Sequence, residues 1–329
     1  MVDGMNRQRR RMLQAAALAG AAGFPTLARA VFPSRPVELI VPGGAGGATD
    51  TIARAIQVPG GDALGQPIIV DNRAGAGGIV GTLDAIRSAP DGYTMLLASL
   101  GTHVLVPLLM PKVGFDTLRD LAPVTRLANV PAIILATPDF PARNLTELIA
   151  LARSSPEPLA YGTPGVGSTG HVIAELLCQR TGIKLLHIPY KSSSQSYTDL
   201  IGGRVPLLFT LVTGVQPQVA SGKLKGIAVT TARRVSVLPD VPTIQESGIR
   251  DFDIAGWLGL MVPAGTPTPL VNRLQRAIGE ALRKDEVRTR LNDIGAEVIG
   301  DTPAQFAAQL HVDFKRWREV IRAANIVVN

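Results

Sequence analysis

The chain has a single cysteine, Cys178, so no disulfide can close within it, whatever the redox state of its compartment. In the helix-like stretch HVIAELLCQR, Cys178 has apolar neighbours and reads as a small core residue, not a nucleophile. Aromatic residues are equally scarce, at 4% against 46% apolar, so any core must be built from aliphatic side chains. After the N-terminus no uncharged apolar run reaches the roughly 18 residues that a membrane span needs. No Lys/Arg cluster is interleaved with aromatics, which argues against nucleic acid as a partner. There is no GxxxxGK[ST] phosphate loop. The histidines, at 103, 171, 187 and 311, form neither an HxxxH nor a His/Cys grouping, so neither a metal nor any other cofactor is expected.

The first feature that is present is an export signal. NRQRRRMLQAAALAGAAGFPTLARA has a basic head, an Ala/Leu-rich middle and a small-x-small end at Ala28-Arg29-Ala30, which predicts cleavage after Ala30 and a periplasmic mature protein. Arg9-Arg10-Arg11-Met12-Leu13-Gln14 further resembles a twin-arginine signal. Losing residues 1–30 removes five Arg and one Asp, which lowers the formal charge from +7 to +3. A mature surface so mildly basic suits an anionic small molecule.

The 329 residues suffice for two ordinary domains. Short runs rich in Val, Ile and Leu (VELIVP, PIIVDN, YTMLLAS, AIILAT, LAYGT, LLHIPY, VPLLF, LKGIAVT) alternate with helical patterns. Continuous apolar strands separated by helices predict α/β architecture, with mostly parallel sheets covered on both faces. The C-terminal part is helical. Leu270, Leu274, Ile278 and Leu282 share one face behind Pro269, and a Thr302–Gln305 capping box opens a stripe of Phe306, Leu310, Phe314, Trp317 and Ile321. No linker separates domains, so crossing strands must, with residues 124–136 and 222–230 as candidates.

Three apolar strands empty into glycine-rich turns that precede helices: Gly43 to Asp50, Ala74 to Gly78, and Tyr161 to His171. Glycines let a backbone approach a ligand, and helix N-termini offer unpaired N–H groups and partial positive charge. Three such turns at the carboxyl ends of parallel strands point to an anion site. Sharper motifs fail. Gly165-x-Gly167-x-x-Gly170 matches a dinucleotide fingerprint, but Lys191-Ser192 follow the next strand where an acidic residue is required. The hydrolase elbow is broken, since Ser168 lies in Val-Gly-Ser-Thr-Gly. Ser168 and Thr169 therefore read as N-cap or ligand-facing hydroxyls, Asp50 as a helix cap, and His171 either as a brace for its loop or as a cleft residue. Asp71 also adjoins a glycine turn, but no second carboxylate is placed to pair with either acid.

The order and spacing of FPSRPVELIVP, GGATD, GQPIIVDNRAGAGG, APDGYTMLLAS, YGTPGVGSTGH, LLHIPYK, GGRVPLLF, GKLKGIAVT and GWLGLMVPAGTP resemble the Bug family, the TctC-like extracytoplasmic receptors of tripartite tricarboxylate transporters. The resemblance implies a two-lobed periplasmic binding protein of the Venus flytrap kind, type II-like, monomeric and without catalysis. It places lobe 1 at residues 31–127 and 229–329 and lobe 2 at 128–228. It implies capture of a di- or tricarboxylate or an aromatic acid between the lobes, with membrane permease subunits or a sensor domain as partner. Carried onto this sequence, one ligand end is held by Ala45, Gly46, Gly47, Thr49, Gly75, Ala76, Gly77, Gly78 and Thr102. The other meets Gly167, Ser168, Thr169, His171 and Thr210. The chain departs from the family in having Gly43-Gly44 where a bulky pair is usual, Thr210 where an Asp is common, and Ser192 where Gly is preferred. Without that Asp the pocket lacks a partner for an ammonium group, so a ligand without an amine is expected. Lys191 is placed to attract an anion, though an ordinary solvated lysine fits equally. Trp257 reads as a cleft or a packing residue. The competing classes are an exported hydrolase using Ser168 with His171 or His103, and a nucleotide-binding oxidoreductase.

Overall fold

The computed structural model describes residues 32–110, 112–323 and 326. The expected export signal and its cleavage site lie outside these residues. Among them, no helix is long and apolar enough to cross a membrane, and no group of three or more His, Cys, Asp or Glu is placed to hold a metal.

From Arg35 onward one continuous sheet forms in two halves. In the first, β1 (Val37–Val41) pairs in parallel with β2 (Ile68–Asn72) and β3 (Thr94–Ser99). In the second, β5 (Leu159–Thr163) pairs in parallel with β6 (Leu185–Pro189) and β7 (Leu207–Leu211). The halves meet in β4 (Leu121–Ala136), whose residues Leu121–Pro131 lie antiparallel to β9 (Ala255–Pro263) and whose residues Ala132–Ala136 lie antiparallel to β7 and β8 (Lys225–Val229). Strand β9 continues to β3, and the short β10 (Glu297–Val298) edges β4. Every antiparallel pairing involves β4 or β9, and every other pairing is parallel.

The parallel strands are followed by helices because each apolar run leaves a sheet whose two faces must be covered. α1 (Ala48–Leu64) follows β1, and α2 (Ile79–Arg87) follows β2. After β4 come α3 (Leu145–Ser154), then α4 (Thr169–Thr181) behind β5 and α5 (Ser193–Ile201) behind β6. The C-terminal helices are α6 (Thr268–Arg283), α7 (Asp285–Asp293) and α8 (Pro303–Ala323). The capping box that opens α8 is present: the Gln305 N–H donates to Thr302 Oγ1 at 3.2 Å, and the Thr302 N–H donates to Gln305 Oε1 at 2.9 Å. Leu274, Ile278 and Leu282 of α6 are buried, as are Phe306, Leu310 and Trp317 of α8.

The segment 124–136, expected to cross, lies within β4, and its partners switch at Pro131–Ala132. The segment 222–230 supplies β8, which pairs only with the C-terminal part of β4. The chain regains β9 through Thr230 and Ile254. The Thr230 hydroxyl donates to the Ile254 carbonyl at 2.6 Å and accepts the Ala132 N–H at 3.1 Å, so three segments converge where the sheet changes halves.

Candidate ligand-binding site

A cavity of about 90 Å³ lies between the two halves at the carboxyl ends of the parallel strands. Its first wall comes from the loops after β1, β2 and β3: Pro42, Gly43, Thr49, Gly77, Gly78, Ser99, Gly101 and Thr102. Its second wall comes from the loops after β5 and β6 and the end of β7: Pro164, Ser168, Thr169, Gly170, Lys191, Ser192, Ser193, Thr210 and Leu211. Gly256, Trp257 and Leu258 of β9 complete it. Four helices, α1, α2, α4 and α5, begin at this wall, so their N-terminal partial charges point at one small space. Among the described residues that line it, Lys191 is the only charged side chain and none is a carboxylate. The electrostatics favour an anion.

Each loop is held from behind. Asp50, nearly fully buried, accepts the Gly46 N–H at 2.8 Å, Arg54 Nε at 2.9 Å and Asn72 Nδ2 at 3.0 Å. Burial opposes ionisation of Asp50, but these donors outweigh it and hold the carboxyl below its ordinary value. The residue that precedes the first turn of α1 is Gly47, so Asp50 is not the N-cap that the sequence suggested. It sits within the first turn and reaches back to the loop; a Cβ at Gly47 would stand 3.1 Å from the Gly44 carbonyl oxygen. The negative charge of Asp50 is thereby turned away from the cavity and neutralised. In the second loop Gly77 and Gly78 have φ of +65° and +98°, a region L side chains rarely adopt, and the Thr102 hydroxyl donates to the Gly77 carbonyl at 2.9 Å.

On the second wall, Ser168 caps α4, its hydroxyl accepting the His171 N–H at 3.3 Å. Ser192 caps α5 in the same way, accepting the Gln195 N–H at 3.3 Å. A Cβ on Gly170 would fall 2.1 Å from the Phe209 carbonyl oxygen, so this glycine serves helix–strand contact as well as the lining. Thr210 is buried, with its hydroxyl 3.4 Å from the Tyr197 hydroxyl. The indole N–H of Trp257 donates to Asp313 at 2.8 Å and the ring meets Phe306 edge-on, so this residue packs and also offers the cavity an apolar surface.

The two walls are in backbone contact. A Cβ on Gly165 would stand 3.2 Å from Gly77 Cα, one on Gly77 would stand 3.1 Å from the Val166 carbonyl oxygen, and one on Gly101 would stand 3.1 Å from the Thr169 nitrogen. Gly44 faces Ser192 and Ser194 equally closely. The cavity is therefore closed by contacts in which a side chain would be crowded.

Of the residues singled out in the sequence, Thr49, Gly77, Gly78, Thr102, Ser168, Thr169 and Thr210 line the cavity. Ala45 and Gly46 are exposed on the loop crest, and Gly47, Gly75, Ala76 and Gly167 shape the turns without lining it. His171 lies beneath the wall, where its Nδ1 accepts the Gly167 N–H at 3.1 Å: it braces the loop. That nitrogen is thus occupied and does not serve Ser168. Cys178 is partly buried, and burial pushes its thiol up to about 12. Sequence reasoning missed Pro42, Ser99, Gly101, Pro164, Ser193, Leu211, Gly256 and Leu258; Ser99 and Gly101 end β3 just as the glycine turns end β1 and β2, the one signal that marked them.

Residues 52–326 match the model of the tripartite tricarboxylate transporter family receptor. The solved periplasmic binding protein BugD is 34% identical, with a TM-score of 0.86 over 90% of this chain and 99% of its own. MatC from Rhodopseudomonas palustris, solved with bound malate, is 34% identical with a TM-score of 0.84, over 88% of this chain and 100% of its own. A further R. palustris protein, solved with adipate, is 34% identical with a TM-score of 0.86, over 90% of this chain and 99% of its own. The fold is that of the two-lobed periplasmic binding proteins, and the chain belongs to the Bug/TctC-like family of tripartite tricarboxylate transporter receptors.

Proposed function

We propose that this protein is an exported receptor that captures a small carboxylate between its halves and presents the closed form to the permease subunits of a tripartite tricarboxylate transporter. One observation carries the reading: the cavity wall combines four helix N-termini, hydroxyls and a single lysine, with no acidic side chain. Relatives solved with malate and adipate support a dicarboxylate. The small closed volume favours a short acid over a tricarboxylate or an aromatic one, and Thr210 offers nothing to an ammonium group. The lobes move as two bodies about the junction at Pro131–Ala132 and Thr230–Ile254. Ligand bound to both walls stabilises closure by its differential affinity for the closed form. Delivery follows when the permease recognises that form; the receptor acts as a monomer.

The test is a thermal-shift and calorimetric series on the mature protein with succinate, malate, adipate, citrate, benzoate and aspartate. Succinate and malate are expected to raise the melting temperature most. Tight binding of aspartate with no response to any dicarboxylate would overturn the reading.

A further inference from the structure

Each wall of the cavity has a histidine with the same short-range geometry. The Ser99 N–H donates to His103 Nδ1 at 3.1 Å, and the Gly167 N–H donates to His171 Nδ1 at 3.1 Å, in both cases from four residues earlier in the chain. Both imidazoles are buried. Both donors stand where the chain turns into the wall: Ser99, Gly101 and Thr102 line one side, and Ser168 and Thr169 the other. A ring nitrogen that accepts a backbone N–H is unprotonated, which assigns the proton to Nε2.

On the first wall this tautomer completes a chain of donors. His103 Nε2 lies 3.2 Å from Thr82 Oγ1, and the Thr82 hydroxyl donates to the Gly78 carbonyl at 2.9 Å. Ser99, His103, Thr82 and Gly78 are thereby linked in series, and the loops after β2 and β3 are tied together. The opposite tautomer would use the 3.3 Å contact from His103 Nδ1 to the Ser99 carbonyl, but would leave the Ser99 N–H without its acceptor and give the single Thr82 hydrogen two claimants. The Phe115 ring lies 6.2 Å away, and no charged side chain contributes to the lowering of the His103 pKa to about 4, which burial causes.

On the second wall, His171 stacks on His187 from β6 at 4.1 Å, and His187 stacks on Tyr161 from β5 at 5.0 Å. His171 Nε2 faces Glu175 Oε1 at 4.0 Å, and the same oxygen accepts the Tyr161 hydroxyl at 2.9 Å. His187 Nε2 lies 2.7 Å from Thr163 Oγ1, which accepts the Gly165 N–H at 3.2 Å. Burial lowers His171 to about 4; burial and then the neighbouring His171 lower His187 to about 3.

We propose that His103 and His171 are paired positioning residues for ligand capture, each using a neutral Nδ1 to fix the backbone of one wall so that its amides and hydroxyls face the cavity. The proposal rests on the solute-binding reading of that cavity; neither imidazole touches the ligand. Protonation would set an N–H donor against an N–H donor in both loops, so ligand affinity falls in acid, near and below pH 4.

The experiment compares the wild type with Leu and Asn variants at both positions. His103→Leu and His171→Leu remove the acceptor; His103→Asn and His171→Asn offer Oδ1 near the place of Nδ1, without a titrating group. Hydrogen exchange of the ligand-free proteins should show the Ser99 or Gly167 amide exchanging at least about tenfold faster in the matching Leu variant and near the wild-type rate in the Asn variant. Calorimetry with succinate at pH 7.5 should show an affinity loss of about tenfold or more for the Leu variants and less than about threefold for the Asn variants. Between pH 7.5 and 3.5 each Asn variant should lose less affinity than the wild type; protonation of succinate is common to both and cancels. Where a Leu variant does not fold, the Asn variant decides. Leu variants that bind like wild type with protected amides, or Asn variants that follow the wild-type acid profile, would overturn the proposal. Failure of the wild type to bind succinate, malate or adipate at pH 7.5 would instead count against the functional reading, and the ligand-free exchange rates then decide the positioning role alone.

Discussion

The two walls of the cavity are built from the same unit, a parallel strand turning into a helix, but they expose different chemistry. The first presents the glycines Gly43, Gly77, Gly78 and Gly101 beside the hydroxyls of Thr49, Ser99 and Thr102, and no charged side chain; the second presents the hydroxyls of Ser168, Thr169, Ser192, Ser193 and Thr210 and the ammonium of Lys191. Their supports differ too. Behind the first wall, ion pairs of Asp50 with Arg54, and of Arg73 with Glu38 and Asp71, stand beside the neutral His103–Thr82 link. Behind the second lies the neutral stack of Tyr161, His187 and His171. A wall rich in main chain reads an anion with less regard to its shape, whereas a wall richer in side chains can be changed residue by residue to choose among anions.

Acid should separate the two supports most strongly. The unfolded histidines titrate near 6.5, whereas His103 and His171 are lowered to about 4 and His187 to about 3. Between these values the unfolded chain binds about three more protons than the native one, so stability falls as pH drops through this window. Asp50 works in the same sense at lower pH: its lowered carboxyl adds stability above the ordinary value of 3.8 that is lost only below it. Urea midpoints should therefore fall steadily from pH 7 to 4.5, with amides of β5 and α4 losing exchange protection before those of β1 and α1. A flat midpoint over that range would break the comparison.

Next in size is Gly170→Ala, which sets a Cβ 2.1 Å from the Phe209 carbonyl oxygen and should cost about 3 kcal/mol in urea unfolding. Its counterpart on the first side is Asp313→Ala, which strands the buried Trp257 N–H and should cost about 2 kcal/mol by the same measurement. Gly77→Ala tests the contact between walls. The strained φ of +65° and a Cβ 3.1 Å from the Val166 carbonyl oxygen should hold the cleft ajar and weaken succinate about tenfold by calorimetry. The smallest effect is expected of Lys191→Ala, a loss of about threefold that disappears in high salt, because the exposed ammonium is screened. A large, salt-independent loss would move Lys191 from attraction to direct contact.

The strands and the C-terminal helices could be read in advance because apolar runs and stripes are local signals; the Thr302–Gln305 capping box is one that the structure reproduces. Half of the candidate site residues line the cavity, those on glycine turns and strand ends. The role of Asp50 was not legible, because its donor Asn72 ends β2, 22 residues away along the chain. The bracing by His171 was one of two open readings, and only the closure of its own turn on Nδ1 chose between them. The Pro59-Gly60-Gly61 stretch would ordinarily end a helix, yet α1 runs on to Leu64. Gly60 lies where a Cβ would come 2.9 Å from Ile278 of α6, and that close packing is a tertiary fact.

By itself, then, the sequence determined the α/β alternation, the glycine turns at strand ends and the family to which the chain belongs, since each rests on short-range pattern or on the order of motifs. The tertiary structure alone decided which turns face each other, that β4 changes partners at Pro131–Ala132, and that the space between the walls is small and free of carboxylates. The physical reason is distance along the chain. Gly77 and Gly165 come within backbone contact only after β4 and β9 have brought the two halves together, and no local preference of either residue encodes that approach.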